Sequence, residues 1–514
     1  MRRPASLALI ALTLAACQHA AAPRTKAAAP PSHLAAVGPY VPPEPQSEAA
    51  LLEAADFPAG AVGYVVLDAK TGQIVSQLEA DRGFPPGSVA KLATCAAALE
   101  VFGPGHRFQT TVWRTGLIAR GVLAGDLILR GGGDPLLTTP ELAQLVVALR
   151  DQGIRQVAGR FYYDESLYAP PRRIDPGQDD DAWYDGGVGA LALDGNMVTA
   201  RWRPDGHGGA MAWAVPMGDT SFTLGGGGPF KFARGPAPRG EPWAASPELS
   251  AQGDQRLPVW RPGEHAAQVF AGLARSMGIE LPPPDALPQV AGPLPAGGLE
   301  GGRRAIDAAN LKPVAAHESR PLADIARVIL ENSHNVYAEM LALAVARRRL
   351  DRAPTLDEAA QELTAFWREK GVTIDLKNGS GMSGQTRFSP RATAAILTAA
   401  DKLLPPQFFT LLPAAGLSGS LAKRLVTPDA ALRVWAKTGT IAYANGLAGH
   451  LFTKPGRDLI FASFVGEPAL REAAKARPPT TRAEAEAADE AEDAWLARAR
   501  SLQDALLLSW IARN

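Results

Sequence analysis

Thiols are nearly absent: of 514 residues only Cys17 and Cys95 are cysteines, and their settings differ so much that a disulfide between them is not expected. The fold must therefore hold without covalent staples. An excess of either charge is also missing. Lys+Arg and Asp+Glu number 52 each, and no basic stripe or long like-charge block appears, which argues against nucleic acid as a partner. The eight histidines include no His-Glu-x-x-His or other ligand spacing, so no metal and no cofactor is expected. No Gly-x-Ser-x-Gly elbow marks an α/β-hydrolase, and the glycine-rich runs lack the Gly-Lys-Ser/Thr of a phosphate loop. They read as turns.

Long apolar runs are missing as well. Arg2 and Arg3 precede a short one, Leu7 to Leu14, which is too short to span a bilayer stably and reads as a signal peptide. It ends in Leu14-Ala15-Ala16-Cys17, which resembles a bacterial lipobox, so residues 1–17 are expected to be a lipoprotein leader with Cys17 as the lipidated residue. An ordinary leader with an incidental cysteine is the alternative. Gln18 after the cysteine favours the outer membrane in a Gram-negative source. The expected place is the periplasm, anchored by lipid only, because no second apolar segment of spanning length follows.

A chain of this length exceeds one hydrophobic core, and 46% apolar residues suffice to fill more than one. Residues 18–47 are mostly Ala and Pro and read as a tether. From Glu48 a short helical stretch leads into a hairpin, Ala61 to Asp68 and Gln73 to Ser76. Ser88 to Phe102 has helical composition and stops at Gly103, which makes Cys95 a core residue. Residues 107–302 turn strand-like and rich in Gly, Pro and Trp, with turns at Gly131–Pro135 and Gly225–Pro229 and one helix from Pro140 to Gln152. Helical periodicity returns at Leu322, Ile325, Val328 and Ile329, breaks at Asn332, and resumes from Val336 to Arg349. Leu432 to Ala436 and Leu447 to Val465 look like paired strands, and the acidic stretch from Thr481 into Leu508 like a helix.

Ser88-Val89-Ala90-Lys91 sets a hydroxyl and an amine on one helix face at a helix N-terminus, where a neutral lysine could take the serine proton. Alone it is weak. Chance predicts on the order of one Ser-x-x-Lys at this composition, and Ser420-Leu421-Ala422-Lys423 is a second. Context selects the first: Ser333-His334-Asn335 falls at the break between two helices, and Lys437-Thr438-Gly439-Thr440 lies in a strand along which an extended peptide could add. Lys70-Thr71-Gly72 repeats the last motif but has ordinary hairpin-turn chemistry.

In this order the three motifs resemble the penicillin-recognising serine enzymes, specifically the class C low-molecular-mass penicillin-binding proteins, which are D-alanyl-D-alanine carboxypeptidases and endopeptidases. Ser88 and Ser333 stand about 245 residues apart, as that family's large insertion requires. Gly125-Asp126-Leu127, Gly133 to Leu136, Tyr163 to Ser166, Asn378 to Ser383 and Gly446 to Gly449 are further matches. Two positions depart from the pattern: His334 stands where Asp is frequent, and Gly384 where an Arg often follows. Both positions could touch substrate side chains. The Ala/Glu-rich stretch near Pro478 to Glu492 has no counterpart.

The resemblance implies an α/β (α+β) transpeptidase-like, β-lactamase-like domain, an antiparallel sheet flanked by helices, built from 48–106 and 303–514 around a β-rich insertion. It implies Ser88 as nucleophile, Lys91 as base, Ser333 as proton relay and Asn335 on the substrate amide. Lys437 and Thr438, with Gly439 beside them, would hold the terminal carboxylate, and the N–H groups of Ser88 and Thr440 the oxyanion. Expected partners are peptidoglycan stem peptides and cross-links, with β-lactams as inhibitors; oligomeric state stays open. A β-lactamase or esterase on the same residues and a non-catalytic cell-wall-binding lipoprotein are the rivals.

Overall fold

Strands that read as unbroken apolar runs end up here between two helical layers, the arrangement that buries both faces of a sheet. The structure, a computed structural model, describes Tyr40 and residues 44–514 except 170, 206–209, 217, 219, 225–231, 236–239, 246–251, 288–312, 405–407 and 478–481. The leader with Cys17, the tether through Pro43, the Gly225–Pro229 turn and the 302/303 junction lie outside the described residues.

The sheet that joins the two ends of the chain is antiparallel throughout. It joins β1 (Val62–Asp68) and β2 (Ile74–Leu78) to β17 (Val434–Ile441), β18 (Ala444–Phe452) and β19 (Asp458–Gly466) in the order β17-β18-β19-β1-β2. Alternation decides which helix each side chain meets. Tyr64, Val66, Leu447 and Phe461 face α9 (Arg482–Arg513), whose Trp495, Leu502, Leu506 and Trp510 recur at helical spacing. Val65, Ala448, Ile460 and Phe464 share the other core with α2 (Lys91–Phe102) and α8 (Pro390–Leu403). Glu48, at the start of α1 (Glu48–Ala55), ties three elements of the first face: its carboxylate accepts from Tyr64 Oη at 2.7 Å, Ser76 Oγ at 2.6 Å and Trp510 Nε1 at 2.7 Å.

Helix α2 is the axle of the domain. Lys91 to Leu99 are all buried, and its Ala, Thr and Cys side chains let α5 (Leu322–Asn332), α6 (Asn335–Leu350) and α7 (Leu356–Glu369) pack closely around it. The break between α5 and α6 is a backbone device: Ser333 adopts a left-handed conformation (φ 59°) and its N–H caps Ile329 O at 2.9 Å. A side chain in that region costs roughly 1–2 kcal/mol, which the surrounding buried helices offset.

The insertion contains two cores. A mixed sheet, β15-β8-β6-β3-β16, is made of β3 (Gln109–Arg114), β6 (Leu127–Arg130), β8 (Phe161–Asp164), β15 (Pro284–Ala286) and β16 (Ala315–Glu318). It packs on α3 (Thr139–Asp151) and α4 (Pro262–Ser276) through Leu129, Phe161, Leu145 and Phe270. One helix was expected from the sequence; α4 is a second. Its Ala266, Phe270 and Ala274 have helical spacing, but it is flanked by the Pro, Gly and Trp residues that mark the region as strand-rich. The fifth strand, β16, lies beyond 302 in sequence yet pairs with β3.

The second core is all-β. In it β9 (Met197–Pro204), β10 (Ala210–Val215) and β14 (Gly253–Pro258) form one sheet, and β11 (Thr220–Leu224), β12 (Phe232–Arg234) and β13 (Glu241–Ala245) another, around Trp202, Phe232 and Trp243. Three two-residue strands, β4 (Ile118–Ala119), β5 (Val122–Leu123) and β7 (Gln156–Val157), complete the insertion's described strands.

Candidate active site

Two glycines bring the first and third motifs into backbone contact. Gly87 takes φ +52° to start the 3₁₀ turn Gly87–Ala90, which carries Ser88 one turn ahead of Lys91 on α2. A Cβ on Gly87 would sit 2.7 Å from Thr440 N, and one on Gly439 would sit 2.1 Å from Pro86 O and 2.9 Å from Ser88 N. Only glycine permits this approach, which sets the N–H groups of the Gly87–Ala90 turn and of β17 side by side.

Lys91 is completely buried, and its Nζ lies 2.8 Å from each of Ser88 Oγ, Asn335 Oδ1 and Ser380 O. One amine thus joins the first motif, the second, and the Asn378–Ser383 segment. Burial pushes its pKa well below the usual lysine range, and the charge of Lys437 pushes the same way; Glu339 and Cys95 oppose them. Burial also pushes the Cys95 thiol up to about 12, so this cysteine is an inert core residue.

The backbone that presents the Ser380 carbonyl is held through its N–H groups by a residue that no motif predicts. Glu339, wholly buried on α6, accepts from Gly379 N at 2.9 Å and Ser380 N at 2.7 Å, while Thr94 Oγ1 donates to Gly379 O at 2.7 Å. A sequence signal existed: Glu339 is the one acidic residue in the apolar run Val336 to Ala346.

Lys437 is also buried, and its Nζ donates to Ser333 Oγ at 3.0 Å and Thr438 O at 2.8 Å. Burial pushes it down to about 7. Its amine therefore faces Ser333, and the groups of β17 nearer solvent are hydroxyls. Thr438 Oγ1 donates to Ser420 Oγ at 2.7 Å, and Thr440 Oγ1 donates to Asn445 Oδ1 at 3.2 Å. Ser420, Lys423, Arg424, Arg500, Thr438 and Thr440 line a cavity of about 320 Å³ beside that strand. The second Ser-x-x-Lys thus contributes its serine to the third motif's surroundings, and Lys70-Thr71-Gly72 sits in the β1–β2 turn, exposed.

Asn335 Nδ2 donates to Tyr184 O at 3.3 Å and to Met382 Sδ at 3.4 Å, so the insertion touches the site. The sequence shows no sign of Tyr184 in this place, because the contact is made by its backbone. His334 points inward. It is buried, stacked on Tyr337 at 3.8 Å between ring centroids, and held neutral by burial and by the charges of Lys91 and Arg256, which lower it to about 3. It therefore packs against protein instead of meeting a substrate side chain. The site brings together Ser88, Lys91, Ser333, Asn335, Lys437, Thr438, Gly439 and Thr440.

This arrangement can be set beside known proteins. Residues 47–224 and 303–486, more than two thirds of the chain, match the D-Ala-D-Ala carboxypeptidase 3 (S13) family. The D-alanyl-D-alanine carboxypeptidase DacB of Haemophilus influenzae is 24% identical over 444 residues, covering 79% of this chain and 85% of that protein. The D-alanyl-D-alanine carboxypeptidase of Actinomadura sp. strain R39 is 27% identical over 448 residues, covering 78% of this chain and 77% of that one. In three dimensions, the crystal structure of penicillin binding protein 4 from H. influenzae superposes with a TM-score of 0.68 at 21% identity, over 82% of this chain and 93% of that one. At that identity the likeness carries the fold.

Proposed function

The chain belongs to the D-Ala-D-Ala carboxypeptidase 3 (S13) family and is a serine-type carboxypeptidase, and from that premise we propose that Ser88 attacks the carbonyl of the penultimate D-Ala with Lys91 as its base. The observation that carries this is the set of contacts at Lys91 Nζ. A neutral amine has two N–H donors and one lone pair. With the donors on Asn335 Oδ1 and Ser380 O, both acceptors without a proton, the lone pair is left for the Ser88 hydroxyl at 2.8 Å. The depressed pKa of Lys91 supports the neutral form at working pH.

In this reading the Ser88 proton moves to Lys91, Oγ bonds to the carbonyl carbon, and the N–H groups of Ser88 and Thr440 hold the oxyanion. Ser333, 3.0 Å from Lys437 Nζ, passes a proton to the departing D-Ala nitrogen as the C–N bond breaks. Water then releases the acyl group. Thr438 and Thr440, with Ser420 behind them, receive the terminal carboxylate, and Lys437 supplies positive potential from beneath, a buried position that suits field better than direct contact. A β-lactam offers the same carboxylate and a strained amide, so it acylates Ser88 and leaves slowly. In a cross-link the same kind of D-Ala carbonyl is amide-bonded to an amine of another peptide, so endopeptidase action belongs to the proposal.

Fluorescent-penicillin labelling of wild type beside Ser88→Ala, followed by a chase, tests the reading. Label on the wild type alone, lost over hours, is expected. Release within seconds would identify a β-lactamase, and no label on folded protein would leave a binding lipoprotein. The leader residues Arg2, Arg3 and Leu14 to Cys17 support a lipid-anchored periplasmic protein. Detergent-phase partitioning that persists in Cys17→Ala would overturn the anchor.

A further inference from the structure

A cavity of about 390 Å³ lies in the insertion, and none of the residues brought together in the candidate active site lines it. Strands β6, β8 and β15 run parallel, and the cavity forms where the last two end. Tyr163 and Ala286 are paired near the ends of β8 and β15, and Glu165 follows directly on β8. The first turn of α4 borders it through Pro262 and Glu264. Crevices beyond the carboxyl ends of parallel strands are where such sheets bind ligands. The volume is within the usual range of small-molecule sites, about 300–1,000 Å³.

Glu165 is the feature that packing does not explain. Two glycines leave the room its carboxyl occupies: a Cβ on Gly263 would stand 2.7 Å from Glu165 Cδ, and one on Gly189 would stand 2.9 Å from Glu165 Oε2. Gly263 N donates to Oε2 at 3.1 Å, the one hydrogen bond of this carboxyl among the described residues. Burial pushes its pKa up to about 7; the Gly263 N–H and Arg172 oppose this, and Asp164 and Glu264 reinforce it. A buried carboxyl with spare acceptor capacity costs stability, so its presence calls for a role outside packing.

The rest of the lining selects the chemistry of a ligand. Arg261 Nε lies 3.9 Å from Glu264 Oε2, so those charges balance, and the exposed Arg172 lines the same space as Glu165. An anion would meet two carboxyl groups here and a cation two guanidinium groups. Hydroxyl groups both donate and accept, so they satisfy Glu165 in either protonation state. Tyr163, Tyr168 and Trp260, with the rings of Pro171 and Pro284, add flat apolar area beside these polar groups. Trp260 is held in place: its backbone N donates to Glu241 Oε1 at 3.0 Å, and the guanidinium carbons of Arg173 and Arg234 lie 4.8 and 4.4 Å from its ring centroid. A pyranose ring, with C–H faces and a rim of hydroxyls, matches this mixture.

We propose that this cavity binds a neutral N-acetylated sugar, and its identification with the glycan that carries the stem peptides rests on the carboxypeptidase reading. The insertion thereby holds the polymer while the site at Ser88 works on the peptide.

The probe is N-acetylchitotriose, titrated into the protein by calorimetry. The wild type should bind it saturably, Glu165→Gln should weaken the affinity about tenfold, and Arg172→Ala, a change at an exposed residue, about threefold. The same affinity is expected after Ser88 has been acylated by penicillin, because the cavity shares no residue with the reactive site. An affinity lost on acylation, or undiminished in folded Glu165→Gln, overturns the inference; if that variant fails to fold, an undiminished affinity in Arg172→Ala does so. The two levels fail separately: a wild type that takes no penicillin label overturns the function reading, and a labelled wild type that binds no sugar overturns this one.

Discussion

Gly439→Ala should be disabling although glycine contributes no side chain to the chemistry. The added Cβ would stand 2.1 Å from Pro86 O, and also 2.8 Å from Val89 N and 2.9 Å from Ser88 N, where real Cβ atoms essentially never come closer than 3.0 Å. All three neighbours are backbone, so no rotamer change relieves the contact. The Gly87–Ala90 turn and β17 must separate by about 0.9 Å at the least, the difference between those two separations. Such overpacking costs roughly 1–3 kcal/mol of stability. The catalytic cost is larger, because the N–H groups proposed to hold the oxyanion belong to the two segments being pushed apart, and about 1 Å of misplacement costs on the order of a hundredfold in rate. The second-order rate of fluorescent-penicillin acylation, measured with a thermal melt of the same sample, reads both effects. A folded Gly439→Ala protein that acylates within about threefold of wild type would refute the claim that this contact sets the geometry.

Gly272→Ala is the opposite case: it lies inside α4, with nothing within 4 Å of an added Cβ, so it should raise stability by about 0.4–1 kcal/mol in a denaturant titration, and destabilisation would contradict the placement. Lys437→Met tests the buried amine. Folding lowers this pKa from 10.5 to about 7, so between those values the unfolded chain binds a proton that the folded one does not. Wild-type stability therefore gains up to about 5 kcal/mol as pH rises from 7 toward 10.5 and loses it again on the way down. Lys437→Met lacks this contribution, so the wild-type-minus-variant difference should grow with pH by at most about 1.4 kcal/mol per unit in denaturant titrations, and a pH-independent difference would mean the amine is not held as the structure has it.

The sequence by itself determined which residues make up the candidate site, because Ser88, Lys91, Ser333, Asn335 and Lys437 to Thr440 are picked out by residue type and order, and the fold brings them together. It also determined the elements with unmixed periodicity: the β1–β2 hairpin, α2 ending at Gly103, the α5–α6 break, and the paired strands after Leu432. Tertiary structure alone decided what depends on packing between distant segments. The helix α4 was hidden among turn residues, and the insertion's two cores became separable only once strands paired across long gaps, as β3 does with β16. Glu339 acts through two hydrogen bonds from backbone N–H groups, Ser420 through one hydroxyl contact, and Tyr184 through its carbonyl. None of these relations has a fixed spacing along the chain, so no local pattern can encode them. Burial belongs to the same class. A lysine in a strand motif reads as an exposed cation, and only its enclosure between sheet and helices makes Lys437 an inward-facing amine that titrates near neutrality.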